Sequence, residues 1–118
     1  MLPTLAWITL LSTTALAAAA PARFGHFGLD VPARGFEGHC LKLEAVEPIH
    51  YRFRATGEVD FNIHYHRGKD VHYPVKTNAS QTVDSTFTAP QADDYCLMGE
   101  RNGDGAVRIE GSVDRIKP

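Results

Sequence analysis

The sequence is poor in most of the signals that announce a function. Its 118 residues include one Trp, two Cys and two Met, and 12 Lys and Arg against 14 Asp and Glu leave a net charge of −2. With no run of either sign, the chain lacks the electrostatic footprint of a nucleic-acid binder or of a protein that lies on anionic lipid. No nucleic-acid partner is expected. Past the first twenty residues no apolar stretch is long enough to span a bilayer, so no membrane span is expected after a leader is removed.

Catalytic patterns are equally scarce. There is no Cys-x-x-Cys, and no Ser-His-Asp or Cys-His set can be assembled for nucleophilic attack. Carboxylate pairs of the glycosidase kind are not signalled. "NGDG" at 102–105 begins like a calcium loop, but Gly111 stands where the spacing demands the closing glutamate, so a turn is the better reading. Asn78-Ala79-Ser80 is a glycosylation sequon, which matters only in a cell with that machinery.

Charge is also missing from MLPTLAWITLLSTTALAAAA, the first twenty residues, after which the composition changes abruptly. A short apolar run followed by Ala15-Leu16-Ala17 reads as a secretory signal peptide over residues 1–17, cleaved after Ala17, although its n-region has no Lys or Arg. The expected product is exported, periplasmic or secreted, with one modest core. In that compartment Cys40 and Cys96 are most simply one disulfide. Closing so long a loop contributes roughly 4 kcal/mol on the chain-entropy model.

Hydrophobic residues that are present recur with period two. Residues 18–38 are rich in Ala, Gly and Pro and read as a mostly irregular lead-in, with room for one short strand in "RFGHFGLDVP". From Cys40 the alternation is clear. "HYRFRA" sets Tyr51, Phe53 and Ala55 against His50, Arg52 and Arg54, and "VDFNIHYH" sets Val59, Phe61, Ile63 and Tyr65 against Asp60, Asn62, His64 and His66. Further strands are expected at 71–76, 82–88, 94–98 and 106–113. Turns are expected at Glu47-Pro48, Thr56-Gly57, 67–70, Ala89-Pro90 and 102–105. Short strands at this spacing predict an all-β antiparallel sandwich of seven or eight strands over residues 39–118.

Three of the six histidines fall in "FNIHYHRGKDVHYPV", residues 61–75. If Ile63 and Tyr65 share a core with Val71, Tyr73 and Val75, cross-strand partners must sum to an even number and the loop must be odd. Either Gly68-Lys69-Asp70 or Arg67-Gly68-Lys69 then puts His64, His66 and His72 on one polar face. A two-residue Gly68-Lys69 turn would send His72 coreward and Val71 and Tyr73 toward His64 and His66. Three imidazoles with an open fourth position suit zinc or copper(II), with Asn62 and Asp60 placed to orient a ligand or supply an oxygen. His26, His39 and His50 stand outside this cluster. The expected function is a small non-catalytic binding module that takes a divalent transition metal, Zn or Cu, on His64, His66 and His72. The alternative is a protein-interaction module with incidental histidines, and the third reading is a zinc hydrolase, for which no general base or walled pocket is visible.

From Cys40 to Ile109 the chain resembles the GOLD domain, the lumenal β-sandwich head of early-secretory cargo receptors. The matching order is Cys40, "YRF" at 51–53, "GEVDFNI" at 57–63, "VHYPV" at 71–75, "STFTAP" at 85–90, "DDYCLM" at 93–98 and "AVRIEG" at 106–111. The resemblance implies a disulfide between Cys40 and Cys96 across the sandwich, and a protein-interaction role without catalysis. No stalk, transmembrane helix or sorting tail follows the domain in this sequence, so the cargo-receptor role is not implied. The three histidines are not part of the family pattern.

Overall fold

The computed structural model of the chain describes residues 23–116. The expected leader at 1–17 and its cleavage site lie outside the described residues. Six strands make up the fold: β1 (Gly25–Val31), β2 (Phe36–Leu43), β3 (Pro48–Arg67), β4 (Asp70–Thr88), β5 (Asp93–Glu100) and β6 (Val107–Arg115). They form one antiparallel sheet in the order β1-β6-β3-β5-β2, with β4 paired to β3. Among the described residues no helix is long and apolar enough to cross a membrane.

The fold is organised by β3, which has 20 residues. Its Ile49–Ala55 part pairs with β6, its Asp60–His64 part pairs with β5, and β4 follows it along the other side. The change of neighbour coincides with a break in the β3–β4 register between Arg54 and Val59. There Arg101 donates from Nη1 to the Glu58 carbonyl and from Nε to the Gly105 carbonyl, both at 2.9 Å, fastening the β5–β6 loop to the irregular stretch. Beyond it the sheet folds back on itself. Phe27 of β1 stacks on His39 of β2 with ring centroids 4.8 Å apart, although these strands stand at opposite ends of the strand order.

The enclosed core is the one the alternation predicts. Tyr51, Phe53, Ala55, Val59, Phe61 and Ile63 of β3 are buried with Leu41, Leu43, Tyr95, Leu97, Ile109 and Val113, while Arg52 and Arg54 face out. Each fully buried side chain of this kind contributes about 1.5–3 kcal/mol by leaving water. Gly111 lies between Phe27 and Phe53 in the ladder, and a Cβ there would come within 2.6 Å of both the Arg52 carbonyl oxygen and the Phe27 ring. The close approach of Phe27 therefore requires that β6 present no side chain at this point.

Several expectations need correction. Six strands replace the seven or eight expected, because 48–67 and 70–88 each run through as one strand. Thr56-Gly57 is accordingly an irregularity within β3 and not a turn. The lead-in at 18–38 is not mostly irregular where it is described, since β1 and the start of β2 fall in it. Phe27 and Val31 supply buried residues from β1 despite its glycines. The Cys40–Cys96 disulfide is present, but it joins directly opposed residues of the neighbouring strands β2 and β5, where the resemblance implies a bridge across the core. It ties the end strand β2 to β5, the only strand that it pairs with among the described residues.

Candidate functional site at the β3–β4 hairpin

The histidine-rich hairpin closes with the two-residue turn. Gly68 adopts φ +60°, which costs glycine little, and Arg67 pairs with Asp70, His66 with Val71 and Tyr65 with His72. Lower down, Ile63 pairs with Val75, so Tyr73 and Pro74 together oppose His64 alone. Pro74 has no N–H to donate, and a bulge on a strand with one free edge is where a sheet tolerates it. The extra residue lets Val75 pack on the core while the tip takes the opposite phase.

This register separates the three predicted ligands. His72 stacks on Tyr65 with centroids 5.0 Å apart and planes 19° from parallel, and Tyr65 in turn leans on buried Tyr95 at 5.3 Å. His64 and His66 share the other face, with centroids 5.3 Å apart edge to face. Tyr73, expected in the core, stands on that face at 5.7 Å from the His64 ring, with the Lys76 ammonium 4.7 Å above its own ring. Among the described residues no group of three His, Cys, Asp or Glu side chains is placed to hold a metal ion. The register thus places His72 on the other face of the hairpin from His64 and His66, the cause being one bulged residue. Saturating zinc or copper should leave the melting temperature unchanged. A rise that disappears when His66 and His72 are both replaced by Ala would restore the three-histidine site.

The supporting oxygens are committed elsewhere. His64 donates from Nδ1 to Asn62 Oδ1 at 2.7 Å, and both side chains are buried although they point away from the core. Asn62 therefore orients the His64 imidazole. Asp60 accepts from the Ala79 N–H at 2.9 Å and from Asn102 Nδ2 at 2.6 Å, where Ala79, at φ +48°, sits in a second register shift. Its role is to hold that irregularity together.

Burial, helped by the neighbouring charge of His66 and opposed by that of Glu100, holds the His64 pKa below its ordinary value. His39 is lowered as well, again chiefly by burial; its hydrogen bond to the Arg23 carbonyl works against this and the Arg23 charge adds to it. Folding therefore disfavours the charged form of both rings, which return to the ordinary value of 6.5 on unfolding. Between the lowered and ordinary values the unfolded chain binds more protons, so stability should fall as pH drops below about 6.5. Thermal melts across that range should show the fall, and the variant with His39→Gln and His64→Gln should show a smaller one. An undiminished fall in that variant would place the acid sensitivity on other groups.

What this face exposes is apolar and aromatic. Val71 is 37% exposed and Tyr73 44%, in a chain whose other strand hydrophobics mostly turn inward. His66 lies beside them, and Arg67, Lys69 and Asp70 form a charged rim, with Arg67 Nε 3.4 Å from Asp93 Oδ2. Reading periodicity alone misses Val71 and Tyr73 as surface residues. Pro74 was the signal that the phase changes.

With this geometry established, comparison with known proteins adds a fold. No protein-family model matches the chain, and no curated protein does. Among solved structures, the pre-peptidase C-terminal domain of a collagenase from Bacillus anthracis is similar with a TM-score of 0.59 and 11% identity, covering 77% of this chain and 89% of that one. PliG of Aeromonas hydrophila, a periplasmic lysozyme inhibitor of g-type lysozyme, is similar with a TM-score of 0.53 and 12% identity, covering 82% and 91%. The likeness is one of fold. Both neighbours are small β-rich domains that the chain matches over nearly their whole length.

Proposed function

We propose that the chain is a small exported, non-catalytic binding module of the two-layer sandwich type, and that it meets a protein partner with the tip face of the β3–β4 hairpin. The observation that carries this reading is the outward placement of Val71 and Tyr73 beside His66, ringed by charge. Aromatic residues with a polar tip are favoured at protein interfaces, because they bury much area at little entropic cost, and charged groups are favoured at the rim. The same face extends to Lys76 and Met98, which flank Asn62 in the ladder.

The neighbours support the class. One is named for inhibiting an enzyme in the periplasm, and the other for its place in a peptidase. The GOLD resemblance points the same way, toward interaction without catalysis. A hydrolase reading loses its premise with the separation of His72 from His64 and His66.

In a binding assay with the purified partner, Tyr73→Ala should weaken the complex by about 2 kcal/mol or more, as a central aromatic anchor does, which is a loss of at least roughly thirtyfold. Glu37→Ala, on β2, should leave affinity unchanged. Equal affinity for both variants would move the contact off the hairpin.

A further inference from the structure

A second surface lies on the opposite half of the sheet, away from the hairpin tip. The outward residues of β6, β3 and β4 border a groove of about 500 Å³. Arg52 stands between Ser112 of β6 and Asp84 of β4, and Arg54 between Glu110 of β6 and Thr82 of β4. The two arginines thus form a basic stripe along β3 with one carboxylate on each side.

Those carboxylates are already engaged. Glu110 is held by Arg108 Nε and by His26 Nε2, both at 2.8 Å, and Asp84 is paired with His50. Arg52 donates from Nε to Ser112 Oγ at 3.1 Å, and among the described residues neither Arg52 nor Arg54 forms an ion pair. Two guanidinium forks therefore face the groove with most of their donors unspent, and a carboxylate is the partner that a fork fits in bidentate fashion.

We propose that this groove binds an extended peptide segment whose acidic side chains stand two residues apart. Arg52 and Arg54 are separated by two strand residues, about 6.8 Å, and an extended peptide repeats its same-side residues at that same interval. A segment lying along β3 holds two carboxylates over the two arginines at once, which a small free anion with a single contact cannot do. The β3 backbone here is laddered on both sides, so recognition runs through side chains alone. Phe53 at the groove is buried, and the exposed imidazole of His26 is tied to Glu110, so the freest polar groups facing the groove are the two guanidinium groups.

The test is fluorescence anisotropy with the full chain and a short labelled peptide carrying two glutamates separated by one threonine. An isomer with adjacent glutamates serves as the control, and inorganic phosphate and a sulfated glycan as competitors. The spaced peptide should bind more tightly than its isomer, and Arg52→Ala with Arg54→Ala should weaken it at least tenfold without changing the melting temperature. The Lys pair should fall between, because it keeps charge and loses the fork. Equal binding of the two peptides, indifference to the double Ala variant, or preference for phosphate or the glycan would each overturn the proposal. The hairpin contact would stand in all three cases, since the double variant leaves it intact.

Discussion

Replacing Cys40 and Cys96 together by Ser is expected to lower the melting temperature by roughly 20 °C. The bridge spans a sequence separation of 56 residues, and closing a loop of that length removes about 4 kcal/mol worth of freedom from the unfolded chain on the entropic model. A domain of this size has about 5–15 kcal/mol in total, so the loss decides whether the sheet holds its end strand. β2 pairs only with β5, and the disulfide lies on the outer side of that pair, with Cys40 exposed. The effect should therefore begin at β2. Amide exchange in the double Ser variant should rise first along Phe36–Leu43 and later along β3. Uniform exchange across all strands would show that the bridge acts on the whole domain at once.

An effect of similar size should come from Tyr95→Ala. Tyr95 is the largest fully buried side chain, its ring leans on Tyr65 at 5.3 Å and Phe87 at 5.4 Å, and its hydroxyl donates to the Gln91 carbonyl at 2.7 Å. Removing a buried ring of this size costs about 3–5 kcal/mol through lost transfer energy and the cavity left behind. Tyr95→Phe keeps the ring and loses only the hydroxyl bond, for about 1 kcal/mol. Urea unfolding of the two variants separates these contributions. Nearly equal losses would mean that the Gln91 contact, and not the packing of the ring, holds the turn before β5. Tyr95 also backs Tyr65, on which His72 stacks, so Tyr95→Ala should loosen the hairpin tip as well as the core.

Much of this architecture was legible in the sequence, and the part that was not has one physical cause. Alternation placed Tyr51, Phe53 and Ala55 opposite Arg52 and Arg54 because a regular strand buries one face and exposes the other, and it set Val59, Phe61 and Ile63 in the core although Asn62 and His64 on the reverse face are buried as well. The two cysteines paired as compartment chemistry suggested. Irregularities are what periodicity cannot carry. One extra residue at Tyr73-Pro74 reverses the phase of the hairpin tip, so Val71 and Tyr73 turn outward although their side chains are apolar. The larger break between Arg54 and Val59 lets a single strand serve both halves of the sheet, where Gly57 reads locally as a turn. In β1, Phe27 and Val31 are buried on a two-residue alternation that Gly25 and Gly28 dilute below recognition. For the same reason the three histidines do not share one face. They were joined by a phase argument, and the bulge at Pro74 changed the phase.

The contact surface is tested most directly by placing a photo-crosslinking residue at position 73 of the full chain in the cell that produces it, with position 37 on β2 as the control. A discrete crosslinked protein from position 73, absent from position 37 and unaffected by chelator, is the predicted result. Crosslinking from position 37 alone, or from neither position, would contradict a partner at the hairpin face.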